Sequence, residues 1–202
     1  HTMPHVPLYV PDDAYDPNPT NAYTCVVEHL DAEVGRVLDT LREAGLDKST
    51  YVVFTSDNGP WLIFDQHGGS AGPLREGKGC TWEGGMREPA LFWWPGTIPT
   101  EVVRDMGSTL DLLPTLAELA GLAPSAAVQG ASLIPVVEGT ASPPYVAFGE
   151  AQTGGGQRFV ALAGYRAVAT GGDGGIELFH TAVDPLELED LSGAEPDKLA
   201  KL

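Results

Sequence analysis

The feature that most constrains the fold is a short apolar run that stops at a Gly-Pro turn. Residues 51–55 (YVVFT) are apolar and rich in β-branched side chains, which is typical of a buried strand. The strand is predicted to end there because a Gly-Pro pair follows at 59–60. Asp57 and Asn58 therefore stand at the end of this strand, where open α/β sheets hold their ligands. Their oxygens suit a hard cation. The alternative is that Asp-Asn-Gly-Pro is an ordinary turn.

A glycine-rich loop follows the turn and carries a single lysine. Seven glycines lie between residues 68 and 85, and Lys78 stands between two of them. A lysine on such a loop can approach an anion as a point charge; the alternative is a solvated surface lysine. Before the loop, residues 61–66 carry aromatic side chains that either line a substrate site or pack ordinarily. A second apolar run at 89–94 closes the unit.

The order and spacing of these segments resemble the sulfatase family, in the alkaline phosphatase-like superfamily. The matching pieces are TSDNGP at 55–60, GGSAGPLR at 68–75, GKG at 77–79, TWEGGMREPA at 81–90 and WWPG at 93–96. The resemblance implies a metal-assisted sulfuric ester hydrolase in which Asp57 and Asn58 bind Ca²⁺, or sometimes Mg²⁺. It implies that Lys78 contacts the sulfate and the leaving oxygen. Glu83 and Arg87 could be read as an acid/base pair, but the resemblance favours a structural pair that braces the turn between them.

Two histidines are candidates for the same site. His5 lies between Pro4 and Pro7, which hold the segment extended. The pattern alone favours a Pro-rich surface segment with an incidental histidine. The resemblance reverses this preference, because sulfatases carry a Pro-His-x-Pro segment at the active site; it implies that His5 donates a hydrogen bond or proton to the departing alcohol. His67, beside two glycines, is either a surface residue or a substrate-binding residue, and we keep it as a candidate.

The nucleophile that the resemblance implies is missing from this sequence. Sulfatases use a formylglycine made within a Cys/Ser-x-Pro-x-Arg segment, and neither Cys25 nor Cys80 stands in one. We expect the formylglycine in an N-terminal half that is absent here, so that the chain is a fragment covering roughly the C-terminal half of a sulfatase. The 202-residue polypeptide alone is predicted not to hydrolyse sulfate esters. Two alternatives stay open: a phosphate or phosphonate monoester hydrolase of the same superfamily, and a non-catalytic binding module.

Helical and strand-like patterns predict two domains, 1–140 and 141–202. Apolar residues at helical spacing predict helices over 21–44 and 108–121, the first of them covering a sheet. With the strand at 51–55 they indicate an α/β fold, a partial alkaline phosphatase-like sheet flanked by helices. Beyond 140, Gly-rich turns separate short apolar runs, which predicts a small C-terminal antiparallel β subdomain with a helix. The runs are 145–149, 159–163, 165–170 and 176–180, and the helix begins near 195.

The second helix contains a proline that restricts where it begins. Pro114 would break a helix interior, but it is tolerated in the first turn if Asp111 is the N-cap. The apolar residues that then share one face are Leu112, Leu113, Leu116, Leu119 and Ala120.

The acidic composition excludes several classes of partner. The chain has 11 Lys+Arg against 28 Asp+Glu and a net charge of −17, so it lacks the basic face of a nucleic-acid binder. Attraction to an anionic membrane is disfavoured for the same reason, and no apolar run is long enough to cross a bilayer. The two cysteines are expected to be unpaired thiols. The family resemblance implies a sulfate ester as partner and a secreted, periplasmic or lysosomal location; it does not specify which ester.

Overall fold

The computed structural model describes residues 4–125, 127–138, 140, 146–151, 156–162, 164–170 and 175–202, with the backbone alone at 19, 146–148 and 151. These residues divide into two compact units, one mainly of residues 4–97 and the other mainly of residues 98–202. Every candidate site residue lies in the first unit. The domain boundary predicted at 140 stays a prediction, since several residues around it lie outside the described ranges.

The first unit combines one long helix with a two-stranded sheet. Its elements are α1 (Ala22–Glu43), β1 (Val52–Thr55), α2 (Glu83–Met86) and β2 (Ala90–Trp93), with short 3-10 segments between them. The strands pair antiparallel, in a register that runs from Val52 opposite Trp93 to Thr55 opposite Ala90. The two apolar runs that flank the turn and the glycine-rich loop are therefore partners, which brings both ends of the intervening segment together.

Helix α1 confirms the helix predicted over residues 21–44. It contacts the 3-10 segments Pro19–Asn21, Asp47–Ser49 and Leu62–His67, and Arg42 near its end lies over the ring of Trp93 in β2. In the part of the chain that the structure describes, no helix is both long enough and apolar enough to span a bilayer.

Strand β1 is less buried than the sequence predicts. Phe54 is 36% exposed, and Leu91 on the partner strand is 63% exposed. Among the described residues β1 pairs with β2 alone, so the outer edge of each strand has no neighbouring strand. The expectation of a fully buried strand is wrong for this structure, because an apolar run indicates an apolar environment without indicating which segment supplies it.

The second unit contains a four-stranded sheet and three short helices. The helices are α3 (Leu112–Leu119), α4 (Ile134–Val137) and α5 (Pro196–Leu199), and the strands are β3 (Val146–Ala151), β4 (Gln157–Leu162), β5 (Tyr165–Ala169) and β6 (Ile176–Phe179). The strand order is β3-β4-β5-β6, and β4, β5 and β6 pair antiparallel. Val168, Leu178 and Phe179 form its buried centre. The small C-terminal antiparallel subdomain is thereby confirmed; residues 145 and 163 of the predicted strands lie outside the described ranges.

Helix α3 begins as predicted but buries a different face. Asp111 is its N-cap, so Pro114 falls in the first turn. The leucine face is largely open, with Leu113 63% exposed, whereas Pro114 and Thr115 are buried. The hydroxyl of Thr115 accepts a hydrogen bond from the backbone N–H of Leu133 at 2.8 Å, and this polar contact fixes which face turns inward.

Candidate active site

The site begins where β1 ends, at the turn that carries Asp57 and Asn58. The hydroxyl of Ser56 donates to the carbonyl of Asn58 at 2.9 Å, and the side-chain amide of Asn58 donates to the carbonyl of Gly59 at 3.2 Å. These local bonds hold the turn and use the nitrogen of the Asn58 amide, not its oxygen. The carboxylate of Asp57 is exposed and makes no hydrogen bond or ion pair with any described residue.

Backbone hydrogen bonds join this turn to the glycine-rich loop. The N–H of Gly59 donates to the carbonyl of Gly85 at 3.1 Å, and the N–H of Lys78 donates to the carbonyl of Pro60 at 2.8 Å. The loop is thereby tied to the turn at two places, one of them at Lys78 itself. These two bonds fix the position of the loop backbone relative to the turn, although the two segments are about twenty positions apart in the sequence.

The close approach of these backbones requires glycine at position 84. Its N–H donates to the carbonyl of Arg75 at 2.8 Å. A Cβ at Gly84 would stand 2.5 Å from that carbonyl oxygen and would also collide with the carbonyl oxygen of Glu76. Because both obstacles are backbone atoms, they cannot move away as a flexible side chain could.

Buried side chains support the loop from behind. Glu83 is buried and pairs with Arg87, one helical turn later, as the structural interpretation of this pair predicts. Trp82 is also buried, with the guanidinium of Arg75 over its ring. Cys80 donates its thiol to the carbonyl of Gly77 at 2.9 Å, and both cysteines are free, which confirms the expectation of unpaired thiols.

The structure brings His5 and Lys78 into direct contact, although they are 73 positions apart. Nζ of Lys78 lies 3.0 Å from Nε2 of His5. The other ring nitrogen, Nδ1, lies 2.7 Å from the carbonyl of Val6, which can only accept a hydrogen bond. Nδ1 therefore carries the proton, and Nε2 accepts a hydrogen bond from the Lys78 ammonium. The partners assign His5 to this neutral tautomer.

The indole of Trp61 adjoins the same pair, a contact that the sequence left open. Its ring centroid lies 5.6 Å from that of His5 and 5.0 Å from Nζ of Lys78, within the range of a cation–π interaction. Trp61, His5 and Lys78 are all half-buried. One face of the pair is thus aromatic, which limits the approach of water from that side.

Glu88 is a site residue that sequence reasoning missed. Burial raises the pKa of Glu88; hydrogen bonding with the Ser56 side chain lowers it in part, and the negative charge of Asp57 raises it. One carboxylate oxygen, Oε1, is buried and has no hydrogen-bond partner. Glu88 also lines an open cavity of about 370 Å³ together with Gly59 and Pro60 of the turn. Its only sequence signal is its position directly after Arg87.

The side chains at the Asp57–Asn58 turn can be compared with the ligands that a divalent cation requires. Asp57 and Asn58 offer a free carboxylate and an amide oxygen, the donor types that Ca²⁺ and Mg²⁺ accept, and the unpartnered oxygen of Glu88 indicates a local deficit of positive charge. The donor set fits a hard cation. It is incomplete among the described residues, where no group of three or more His, Cys, Asp or Glu side chains converges.

His67 is exposed and stands at one end of the 3-10 segment that follows Trp61. With Phe64, Asp65 and Gln66 it lines a second open cavity, of about 400 Å³. Its role in substrate binding stays a prediction.

A protein-family model and several known proteins match this chain. The family model described as Sulfatase matches residues 1–122. Human arylsulfatase A is 48% identical over 116 residues, which are 57% of this chain and 23% of that protein. Dog N-acetylgalactosamine-6-sulfatase is 42% identical over 139 residues, which are 67% of this chain and 27% of that protein.

A solved structure extends the likeness to nearly the whole chain. The crystal structure of Ps i-CgsB in complex with k-i-k-neocarrahexaose superposes with a TM-score of 0.88 at 28% identity, over 98% of this chain and 46% of that one. This likeness confirms the predicted alkaline phosphatase-like α/β fold. The chain spans about a quarter of the length of the curated relatives and about half of this structure.

Proposed function

Because the chain belongs to the sulfatase family, we propose that its first unit carries part of the active site of a sulfuric ester hydrolase. The observation that supports this most strongly is the 3.0 Å contact between Nζ of Lys78 and Nε2 of His5. It places an ammonium and an imidazole together on a loop whose backbone is bonded to the Asp57–Asn58 turn. A negatively charged ester needs such donors where charge develops on the leaving oxygen.

In this proposal Lys78 binds the sulfate and the leaving oxygen. In the hydrogen bond between Lys78 and His5 the proton is bonded to Nζ, because Nε2 is the acceptor in the assigned tautomer. Lys78 can therefore donate a hydrogen bond to the leaving oxygen while His5 orients the ammonium. His5 donates a proton to the departing alcohol only after Nε2 has gained one, from Nζ or from solvent.

Asp57 and Asn58 would hold the divalent cation, which we propose to be Ca²⁺, with Mg²⁺ as the alternative. Once bound, such an ion neutralises charge on the sulfate oxygens as a Lewis acid. An amide beside a carboxylate leaves more net positive charge on the ion than two carboxylates would. Glu88 lies close enough to Asp57 for their charges to interact, so the same ion would relieve the repulsion between these two carboxylates.

No residue of this chain is proposed as the nucleophile, since the sequence has no Cys/Ser-x-Pro-x-Arg segment in which a formylglycine forms. We expect the isolated 202-residue chain to bind sulfate without turning over p-nitrophenyl sulfate. We propose a sulfate ester as the substrate and a secreted, periplasmic or lysosomal location, and the family resemblance supports both proposals.

The test is a residue-resolved NMR titration of the 202-residue chain with sodium sulfate, with CaCl₂ present. Lys78→Met and His5→Ala should each weaken sulfate binding about fivefold or more, the effect of losing about 1 kcal/mol of charge interaction or hydrogen bonding. Lys48→Met and His29→Ala, which alter a surface lysine and a helix α1 histidine of the same unit, are the matched controls. Equal affinity in all four variants would contradict the proposal.

The same titration addresses the two alternatives. A phosphate or phosphonate monoester hydrolase should bind inorganic phosphate or methylphosphonate more tightly than sulfate at the Lys78–His5 pair. A non-catalytic module that uses another surface should show no shift of the Trp61 indole signal with either anion.

A further inference from the structure

We propose that Glu88 is a positioning residue for the divalent cation: it holds the Asp57–Asn58 turn in place through the hydroxyl of Ser56 and does not itself bind the ion. The inference rests on the proposed cation site at this turn. It extends that proposal from the two side chains that would bind the ion to the side chain that fixes their geometry.

The end of the β1–β2 ladder explains why side chains hold this part of the chain. The last pair of the register is Thr55 opposite Ala90, and the residue before Ala90 is Pro89, which has no N–H to donate. The hydroxyl of Thr55 donates instead to the carbonyl of Pro89 at 3.1 Å. The same register, continued by two residues, sets Glu88 opposite Asp57. Contact between the two segments thus continues beyond the strands through side chains.

Ser56 joins Glu88 to the turn. Its hydroxyl hydrogen bonds with the carboxyl group of Glu88 and donates to the carbonyl of Asn58 at 2.9 Å. One hydroxyl can make both bonds because it has one donor and two acceptor positions. A displacement of the Glu88 carboxyl group therefore moves the Ser56 hydroxyl and, with it, the backbone of the residue that would bind the ion.

The hydrogen bond with Ser56 is needed to define where the carboxyl group of Glu88 lies. Oε1 is buried without a hydrogen-bond partner among the described residues, and Glu88 lines the open cavity of about 370 Å³, so packing leaves space beside it. In its ionised form Glu88 is repelled by Asp57, because like charges at opposite positions destabilise a strand pair. The bond to Ser56 opposes this repulsion and keeps the turn in one geometry.

The first measurement is the amide hydrogen exchange of Gly59 without a cation. This N–H is buried and donates to the carbonyl of Gly85 at 3.1 Å, so its exchange reports how often the turn opens. Glu88→Ala and Ser56→Ala should each speed the exchange about fivefold, and the double variant should add little, because both break the same link. Glu88→Gln should exchange as the parental chain does, because an amide both donates and accepts and keeps the bond.

The second measurement is the affinity for Ca²⁺, followed by the NMR shifts of the turn. Ser56→Ala removes no charge, yet it should weaken Ca²⁺ binding about tenfold, the usual effect of removing a group that orients metal ligands. The matched controls are Glu28→Ala, at an exposed position of α1, and Ser49→Ala, which removes a hydroxyl bonded to the carbonyl of Leu46. Both controls should behave as the parental chain in the two measurements. Unchanged exchange of the α1 amides shows that each variant is folded.

The outcomes separate this inference from the proposed function. If Glu88→Gln exchanges as fast as Glu88→Ala, Glu88 acts by its charge alone. If the double variant is additive, or Ser56→Ala keeps the parental Ca²⁺ affinity, Ser56 does not link Glu88 to the ligands. Each of these results overturns the inference and leaves Asp57 as a cation ligand. If the parental chain binds no Ca²⁺ at this turn, the proposed cation site fails first and the positioning role fails with it.

Discussion

Nζ of Lys78 and Nε2 of His5 lie 3.0 Å apart, while Nδ1 of the same imidazole faces the carbonyl of Val6 at 2.7 Å. Two hydrogen bonds thus fix the imidazole ring: Nδ1 donates one to Val6, and Nε2 accepts the other from Lys78. The lysine is held by the acceptor nitrogen and by the face of Trp61. A cation in this position has its remaining ammonium protons available for an anion.

This geometry predicts the tautomer of His5 at neutral pH. Long-range ¹H–¹⁵N NMR should show a protonated Nδ1 and an unprotonated Nε2. Lys78→Met removes the donor to Nε2, so the Nε2 signal should move toward that of a free imidazole nitrogen, while His29 in helix α1 keeps its spectrum. An Nε2-protonated ring in the parental chain would contradict the hydrogen-bond assignment and the proton position proposed above.

Gly84 is predicted not to tolerate a side chain. Gly84→Ala would drive a methyl group into the carbonyl oxygens of Arg75 and Glu76, so it should lower the free energy of unfolding by about 3 kcal/mol or prevent folding of the first unit. The control is Gly35→Ala in the middle of α1, where a Cβ meets nothing within 4 Å. There the substitution should stabilise the helix by about 0.5–1 kcal/mol, because alanine favours helix. Urea unfolding of both variants measures the contrast.

The ion pair between Glu83 and Arg87 should contribute far more than the surface pairs of the same unit. The Glu83 side chain is only 6% exposed, so Arg87→Met leaves a buried carboxylate with less compensation. The expected loss is about 2 kcal/mol, reduced from the fully buried case because Arg87 is itself 48% exposed. Arg36→Met breaks the exposed pair with Glu33 on α1 and should cost at most about 0.5 kcal/mol. Equal losses in the two variants would show that burial of Glu83 is unimportant.

Much of the local structure could be predicted because local patterns determine it. The 3.6-residue periodicity of 21–44 marks α1 to within a residue at each end, and Gly-rich turns mark the strands of the C-terminal sheet. The sequence did not allow us to predict which part of the chain packs against each apolar segment. The leucine face of α3 is open because Thr115 and its partner Leu133 determine the inward face, and their contact joins residues 18 positions apart.

The candidate site shows the same limit. The sequence indicates Asp57, Asn58 and Lys78 because they stand in turns and glycine-rich segments whose chemistry is local. The contact of His5 with Lys78 spans 73 positions, and no periodicity links them; only the family resemblance placed them together. Glu88 escaped notice because a glutamate after an arginine is ordinary in sequence, and only burial of Oε1 makes it unusual.

Calcium binding is expected to be weak and to depend on Asp57. Two protein oxygens on one turn, without a complete cage, should give a dissociation constant of about 1 mM or weaker, at the low-affinity end for calcium modules. Asp57→Ala should abolish the Ca²⁺-induced NMR shifts of residues 56–60, and Asp31→Ala on α1 should leave them unchanged. Saturating shifts elsewhere in the chain, or no difference between the two variants, would exclude the turn as the cation site.

The C-terminal subdomain is predicted to lose stability in acid through Asp190. Burial alone would raise the pKa of Asp190, but hydrogen bonds from the N–H groups of Leu178 and Ser192 and from the Ser192 hydroxyl outweigh it and lower the pKa below its ordinary value of 3.8. These bonds tie the segment after β6 back to that strand. Because the folded-state pKa is the lower one, the contribution is fully present above about pH 5 and is lost as the pH falls through the folded-state value.

Asp190→Ala should therefore reduce the free energy of unfolding of this unit by about 1 kcal/mol at pH 7, a value kept small because the carboxylate is largely exposed. The difference from the parental chain should shrink as the pH falls through the folded-state pKa of Asp190, where the parental carboxylate becomes protonated. Glu189→Ala, one residue earlier and also exposed, should show no such convergence. Urea unfolding at pH 7, 5 and 3 checks the direction of this pKa shift. If the difference in free energy of unfolding grew in acid, folding would raise the pKa of Asp190 instead of lowering it.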